Sequence, residues 1–193
     1  MIRYFQETMQ ILNHAVESID IGMFSRLSES CAAVLRNGKR VIVSGLGKNV
    51  PVCEKFVGTM LSLGLDAGFM HSNSAIHGDL GLVRDGDLVI ILTKSGETSE
   101  SIYLVQQLEQ REAELWLLSF ANASTLAERL KENSLILELS HEGDLWNVAP
   151  NNSTTVNLIV LQGLAWDIAR RMDCSLEQFR RNHPGGYIGE LLK

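Results

Sequence analysis

Short apolar segments alternate with amphipathic ones along most of this chain, and this alternation restricts the fold more than any other feature of the sequence. Residues 88–92 (LVIIL) are apolar at every position, which is typical of a strand buried on both faces of a sheet. The helical segments between such runs give connections of about a dozen residues or more, long enough to join parallel strands. The pattern therefore predicts a three-layer α/β fold.

The predicted elements cover nearly the whole chain, without a Pro- or Gly-rich linker. A chain of 193 residues is long enough to form one domain with a sizeable core. We expect N-terminal helices in 1–38, the sheet and its helices in 39–172, and a C-terminal helix and tail in 173–193. The predicted strands are 41–44, 67–70, 88–92, 114–120 and 134–139, and the predicted helices are 2–19, 23–36, 51–63, 98–111, 125–131, 153–171 and 176–181.

Charge and composition exclude several classes of protein. The net charge is −6 and no basic stripe is present, so binding of nucleic acid, whose phosphates require clustered Lys and Arg, is not expected. The three cysteines are far apart, fit no zinc-binding spacing and are expected to be reduced. The N-terminus lacks an apolar signal core, and no apolar run reaches the length of a membrane span. These features predict a cytoplasmic protein without membrane contact.

The segment after the strand at 88–92 has the composition of an anion-binding turn. Small hydroxyl residues and Gly96 lie between the end of this strand and the start of a helix, where backbone amides lack partners. Gly96 would let these amides approach a phosphomonoester, and Lys94 would add a positive charge. The alternative is an ordinary strand-to-helix turn in which Ser95 or Thr98 is the N-cap.

A second glycine turn, Gly45-Leu46-Gly47-Lys48, follows the strand at 41–44. It lacks the spacing of a nucleotide P-loop, and Val50 stands where a dinucleotide fingerprint needs a small residue. Asp66 lies near the offset that such a fingerprint requires, so dinucleotide binding stays open as a minor alternative. The remaining interpretations are a plain turn with a solvated lysine, and a Lys48 directed at the oxygen atoms of a ligand.

Histidines and carboxylates occur in three further polar segments. His77 lies in SAIHGDLG at 74–81, where it is either a surface residue or a catalytic one; with His71 it is only weakly indicative of a metal site. Glu142 follows the last predicted strand, so it is expected at the carboxyl edge of the sheet, either hydrated or partly desolvated. His183 precedes Pro-Gly-Gly, which favours a fixed turn over a frayed tail.

Together these motifs resemble the sugar isomerase (SIS) domain, and within it the D-arabinose 5-phosphate isomerase group. The motifs occur in the family's order over nearly the whole chain after the first helix. Their combination is more specific than the motif SGET at 95–98 alone. The resemblance implies a flavodoxin-like five-stranded parallel sheet and a homotetramer whose active sites are shared between subunits. The residues that carry it are GLGK at 45–48, HGDLG at 77–81, SGETSE at 95–100, Glu142 with VAP at 148–150 and STT at 153–155, and FRRNHPGGYIG at 179–189.

The resemblance also implies roles for individual residues in aldose–ketose isomerisation of a sugar phosphate, with no metal and no organic cofactor. Glu142 is expected to be the base, with Glu97 as the rival base or as a partner of loop amides. His183 would open the sugar ring or shuttle a proton, Lys48 would stabilise the enediolate, and His77 would orient hydroxyls. The substrate or its phosphate would be bound by Ser44, Gly45, Gly47, Thr93, Lys94, Ser95, Gly96, Thr98 and Asn151.

The chain departs from the family's pattern at several positions. Asn49-Val50 replaces the usual Ser-Gly, Lys94 replaces Asn, and bulky Trp146 stands in a loop expected to line the sugar. The tandem CBS domains that often follow the SIS domain have no counterpart in these 193 residues. The sequence therefore leaves two functions open: an isomerase acting on a pentose phosphate or a related phosphate, and a non-catalytic module that binds a phosphosugar and regulates.

Overall fold

Five short strands form one parallel sheet in the computed structural model, which describes residues 1–191. The strand order is β2-β1-β3-β4-β5, and every neighbouring pair is parallel. The predicted flavodoxin-like α/β class is therefore confirmed. The strands are β1 (Val41–Gly45), β2 (Ala67–His71), β3 (Leu88–Leu92), β4 (Glu114–Ser119) and β5 (Ser134–Ile136).

Helices cover both faces of this sheet and continue beyond it at the C-terminus. Three short 3₁₀ helices, at Ala75–His77, Asp79–Leu82 and Lys131–Asn133, lie in the connections. None of the helices in residues 1–191 is long and apolar enough to cross a bilayer. The α-helices are α1 (Ile2–Glu17), α2 (Ile21–Arg36), α3 (Asn49–Ser62), α4 (Ser99–Leu108), α5 (Thr125–Leu130), α6 (Asn152–Arg171), α7 (Leu176–Arg181) and α8 (Gly186–Leu191).

The alternation of side chains along the strands divides the apolar core into two layers. In β3, Leu88, Ile90 and Leu92 pack with the buried residues of α2, α3 and α6. Val89 and Ile91 point to the other face and pack with α4 and α5. Because each fully buried side chain of this kind contributes about 1.5–3 kcal/mol, an all-apolar strand is stabilised from both sides. The three-layer arrangement follows from this strand pattern.

The strand order creates a crevice between β1 and β3. The chain leaves β1 towards β2 on one side and leaves β3 towards β4 on the other, so the loops after β1 and β3 diverge. Ligands of open parallel sheets bind in such a crevice, outside the carboxyl ends of the strands. Both glycine turns begin at this edge.

The structure corrects two predicted elements. The strand predicted over 134–139 ends at Ile136, because its neighbour β4 ends at Ser119, whose carbonyl accepts the Leu137 amide as the last bond of the ladder. The tail predicted as a turn continues into α8, and a β-carbon at Gly189 would overlap the His183 carbonyl. Helix α8 packs so closely on the turn after His183 that only glycine fits at position 189. Residues 192 and 193 of the predicted tail lie outside the described residues.

Candidate active site

The turn after β3 is organised by its own hydroxyl groups. Thr93 is buried, and its Oγ1 accepts a hydrogen bond from the Gly96 amide at 3.3 Å. Ser95 Oγ accepts one from the Glu97 amide at 3.1 Å. These bonds curl the chain just before α4 begins at Ser99, where the first amides of the helix favour an anion. Thr93 and Ser95 thus fix the backbone of the turn that the sequence predicts as the phosphate site.

Gly96 is required at the centre of this turn for two reasons. Its φ of +66° lies in the left-handed region that favours glycine. In addition, a β-carbon at this position would overlap Ser124 Oγ, which caps the start of α5 by accepting from the Ala127 amide. The turn after β3 is therefore packed directly against the start of α5.

Lys94 has a fixed backbone and a half-exposed side chain. Its carbonyl oxygen accepts from Ser119 Oγ and from the Phe120 amide, both at 3.2 Å, so β4 holds it in place. Its side chain is 44% exposed, and its Nζ lies 2.5 Å from Glu142 Oε1. This ion pair joins the turn after β3 to the loop after β5.

The Glu142 side chain is only 1% exposed. Its Oε2 accepts hydrogen bonds from the amides of Asn151 at 3.0 Å and Ser153 at 2.9 Å, at the start of α6. Burial raises the pKa of Glu142, but the ion pair with Lys94 and the two amide bonds outweigh it and hold the pKa below its usual value. The carboxylate is therefore ionised, anchored through one oxygen and paired through the other.

The loop of residues 143–150 folds around a second carboxylate. Asp144 accepts hydrogen bonds from the amides of Trp146, Val148 and Ala149, and these bonds lower the pKa of Asp144, that from Ala149 most. Asn147, at φ +55°, accepts the Glu142 amide at 2.7 Å. With the backbone bound inward, the Trp146 side chain remains 77% exposed. Trp146, which departs from the family's pattern, thus faces outwards in one chain.

The turn after β1 is tied to the same helix as Glu142. Gly47 has φ +59°, and the exposed Lys48 stands at the start of α3. Asn49 Oδ1 accepts from Asn157 Nδ2 of α6 at 3.0 Å. The Lys94–Glu142 ion pair brings together two of the three polar loops expected to meet at this edge, and the Asn49–Asn157 contact joins the turn after β1 to the helix that follows the third loop.

Two buried hydroxyls and a small cavity lie beside the crevice. Ser44 Oγ and Ser72 Oγ are 3.0 Å apart, beneath the ends of β1 and β2. The adjoining cavity has a volume of about 220 Å³, and its lining residues were not predicted as site residues, although a hydroxyl follows the end of β2 directly. The cavity is lined by Ser72, Asn73, Ile76, Ser99, Glu100 and Tyr103.

Three other predicted residues have different surroundings. Glu97 accepts from the Thr125 amide at 2.6 Å and from Thr125 Oγ1 at 2.8 Å, and these bonds lower the pKa of Glu97. His77 is exposed in the 3₁₀ helix after β2, at the same edge of the sheet as the glycine turns. Asn151 donates through Nδ2 to Tyr4 of α1 at 3.2 Å. Within residues 1–191, no three His, Cys, Asp or Glu side chains are grouped as metal ligands.

His183 lies at the opposite edge of the sheet. Its ring stacks on Phe179 at 4.1 Å, and its Nδ1 is 2.7 Å from the Phe179 carbonyl oxygen. The adjacent Asn182 donates to the carbonyls of Leu61 and Ser62 at the end of α3. Because α3 begins at the carboxyl end of β1 and runs back along the sheet, its end lies away from Glu142. One chain therefore does not bring His183 to the Lys94–Glu142 pair.

A flavodoxin-like sheet with a glycine turn and a paired, buried carboxylate at its switch point defines the open α/β class of protein, with a candidate ligand site at the carboxyl edge of the sheet. The model of the SIS domain matches residues 34–166, and the chain belongs to the SIS domain family. The arabinose 5-phosphate isomerase KdsD of Pseudomonas aeruginosa is 31% identical over 187 residues, which are 97% of this chain and 57% of that protein. The arabinose 5-phosphate isomerase KpsF of Escherichia coli is 33% identical over 182 residues, 94% of this chain and 56% of that protein.

Solved structures agree with this assignment. The Escherichia coli CFT073 protein c3406, in complex with arabinose 5-phosphate, has a TM-score of 0.86 and 27% identity, with 95% of each chain covered. A Listeria monocytogenes protein with a TM-score of 0.87 and 22% identity, covering 95% of this chain and 94% of its own, shares the fold. The chain spans about half the length of the curated relatives it matches, 57% for KdsD.

Proposed function

We propose that this chain is an aldose–ketose isomerase of a phosphorylated sugar that acts through a cis-enediol, with arabinose 5-phosphate and ribulose 5-phosphate as the expected pair. The observation that carries the proposal is the buried Glu142 carboxylate, which is held 2.5 Å from a lysine of the anion turn. A site that only binds phosphate needs the turn and its amides, but has no need of an anchored carboxylate beside it. The similarity to arabinose 5-phosphate isomerases supports the same reaction.

In this proposal the phosphate occupies the turn at Thr93–Thr98, and the sugar extends towards Glu142. Glu142 takes the proton from carbon 2 of the open aldose. The electron pair of that C–H bond forms the C1–C2 double bond, the electron pair of the C1=O bond moves to O1, and O1 takes a proton from solvent to complete the enediol. Glu142 then returns its proton to C1 while the proton on O2 passes to solvent and the C2=O bond forms, which yields the ketose. The cycle is balanced and leaves Glu142 ionised.

The other charged residues are assigned around this proton transfer. Lys48, at the start of α3, stabilises the negative charge that develops on the sugar oxygens. His77 orients hydroxyls from the loop after β2. The bonds from Thr125 support a structural role for Glu97, as a cap for α5, over its role as the base. His183 would act as the ring-opening acid from a second subunit, since it lies at the far edge of its own.

One observation favours the second candidate, a non-catalytic phosphosugar-binding module. In the loop of residues 143–150, Leu145 is 90% exposed and Trp146 is 77% exposed, where the family has a different sequence. Such a surface is suited to contact with another macromolecule, and a regulatory module needs one. The two candidates share the phosphate turn and differ in whether the sugar is converted.

A panel of phosphosugars tests the proposal. The purified protein is incubated with arabinose 5-phosphate, ribulose 5-phosphate and several hexose 6-phosphates, and each mixture is followed by NMR for the aldose and the ketose. We expect conversion of at least one pair, and none of non-phosphorylated arabinose. If no sugar is converted but phosphosugars raise the melting temperature, the isomerase proposal is wrong and the non-catalytic binding module is the better description.

A further inference from the structure

We propose that Lys94 makes proton abstraction conditional on a phosphorylated substrate: its ammonium group leaves Glu142 for the bound phosphate, and only then is the carboxylate free to act. The ligand class is a sugar that carries a phosphate dianion, and Lys94 is a positioning residue that acts through Glu142. The catalytic consequence rests on the isomerase function proposed above, whereas the exchange of ion-pair partners stands on the geometry alone.

The two oxygens of Glu142 have different surroundings. Oε2 accepts two backbone amides, from Asn151 and Ser153, and these fix the carboxylate to the start of α6. Within residues 1–191, Oε1 accepts no amide and faces the Lys94 ammonium at 2.5 Å. Any proton taken from a substrate would therefore go to Oε1. As the structure stands, Lys94 occupies that position.

Lys94 is suited to move between two partners. Its backbone lies in the middle of the anion turn, fixed through its carbonyl by Ser119 and Phe120, while its side chain is 44% exposed. A phosphate on the amides of this turn would lie within reach of the same four-carbon stem. The ammonium is a compact charge with three donors and rotates freely, so a change of partner needs no movement of the backbone.

The charges favour this exchange when a dianion arrives. A phosphomonoester carries a charge of about −1.5 to −2 near neutral pH, against −1 for the Glu142 carboxylate. Once Lys94 has moved, Glu142 keeps its burial but loses its counter-ion, and burial alone raises the pKa of a carboxylate. Glu142 then becomes a stronger base at the moment when a substrate is in place. A sugar without phosphate leaves the ion pair closed.

Binding of inorganic phosphate tests the exchange without any catalysis. Calorimetric titrations are made on the wild type, Lys94→Met, Glu142→Gln and the double variant. We expect Glu142→Gln to bind phosphate roughly tenfold more tightly than the wild type, because no ion pair has to be broken first. In the Lys94→Met background the same change should alter affinity by less than about twofold. An equal gain in both backgrounds would mean simple repulsion between Glu142 and phosphate, and would overturn the proposal.

Two controls accompany this cycle. Lys94→Arg keeps the positive charge and should retain phosphate binding, and Glu109→Gln removes a carboxylate that pairs with Arg129 at the far end of α4. We expect the second control to leave phosphate affinity unchanged. A gain at Glu109→Gln that matched Glu142→Gln would assign the effect to net charge and would also overturn the proposal. Circular dichroism verifies that each variant is folded.

The effect of Lys94 on proton abstraction is tested with a substrate divided into two molecules, a sugar without phosphate and a separate phosphite dianion. Deuterium incorporation into non-phosphorylated ribulose is measured in deuterated water, with and without phosphite dianion. In the wild type we expect phosphite to raise the rate by about tenfold or more, because remote binding energy opens the site. In Lys94→Met the phosphite effect should be lost and the rate without phosphite should be higher. A full phosphite effect in Lys94→Met would overturn the proposal. If no phosphosugar reacts, the proposed isomerase function is overturned. The phosphate titrations would still test whether Lys94 exchanges Glu142 for phosphate.

Discussion

Glu142 is enclosed by its own loop and by the start of α6, and this enclosure explains how a carboxylate near the edge of the sheet is only 1% exposed. The amides of Asn151 and Ser153 bond one oxygen, and Lys94 pairs with the other. A buried charge is stable only when it is paired and hydrogen-bonded in this way. The residues that hold Glu142 are therefore as specific a feature of the site as the carboxylate itself.

Glu97→Ala is expected to weaken the fold more than the chemistry. Glu97 receives two hydrogen bonds from Thr125 at the start of α5, so its loss should lower the free energy of unfolding. Chemical denaturation measures this change, and Glu97→Gln, which keeps an acceptor, should restore part of it. Isomerisation should remain within a few-fold of the wild type. A loss of activity by more than about 100-fold in both variants, with stability retained, would make Glu97 the base.

Gly96→Ala and Gly47→Ala form a matched pair, because both glycines have positive φ values of +66° and +59°. A β-carbon at Gly96 would overlap Ser124, whereas no atom lies within 4 Å of one at Gly47. Gly96→Ala is expected to cost about 2–3 kcal/mol of stability and to abolish phosphate binding, and Gly47→Ala about 1 kcal/mol. Thermal unfolding and phosphate titration measure both effects. Equal losses of stability and phosphate binding in the two variants would show that the effect of Gly96→Ala comes from backbone strain and not from packing against α5.

At the scale of elements, the sequence predicts the strands well because each is a short apolar run with a polar end. Residues 88–92 are predicted and observed as the same strand, β3. The prediction fails where an element depends on a neighbour, as for the end of β5, which is set by the length of β4. It also fails for α8, which forms on the turn after His183 through a close glycine contact. No local pattern carries that information.

Helix α6, which begins at the site, carries a second buried carboxylate near its C-terminus. Asp167 pairs with Arg170 at 2.8 Å and with Arg171 at 2.7 Å. Burial raises the pKa of Asp167, but the bonds from Arg171 and its neighbours outweigh this and lower it to about 2. A lowered pKa stabilises the fold above the unfolded value of 3.8, and the contribution is lost as the pH falls towards 2.

Asp167→Asn is therefore expected to reduce stability in a pH-dependent manner. At pH 6 the variant should be about 1–2 kcal/mol less stable than the wild type, and the difference should disappear as the pH approaches 2. Urea unfolding at a series of pH values measures it. A second series on Glu109→Gln, whose carboxylate is more exposed, should show a smaller change. A difference that is constant with pH would exclude ionisation of Asp167 as its cause.

At the scale of the whole molecule, the predicted catalytic and phosphate-binding residues are divided between two edges of the sheet. Glu142, Lys94 and Lys48 belong to the loops at the carboxyl edge, while His183 is held at the end of α3 through Asn182. The motifs predicted each segment of the site from local composition. They did not predict that Lys94 pairs with Glu142, since that contact depends on the fold of two separate loops.

Mixing two inactive variants tests whether a second copy supplies His183. Glu142→Gln and His183→Ala are each expected to lose most activity, and refolding them together should restore a part of it through sites that combine one intact copy of each residue. Steady-state turnover of the mixture, compared with each variant refolded alone, measures the effect, and size-exclusion chromatography verifies that the mixture is oligomeric. No recovery in a mixed oligomer would confine His183 to a structural role at its own edge.

Transfer of solvent deuterium to carbon in wild type and Glu142→Gln is the most direct test of the proton-transfer mechanism. The converted phosphosugar is incubated in deuterated water, and NMR follows the hydrogen at the carbon next to the carbonyl. We expect the wild type to incorporate deuterium, and Glu142→Gln to slow this by about 100-fold or more while still binding phosphate. Unchanged exchange and unchanged isomerisation in Glu142→Gln would contradict an enediol formed by Glu142.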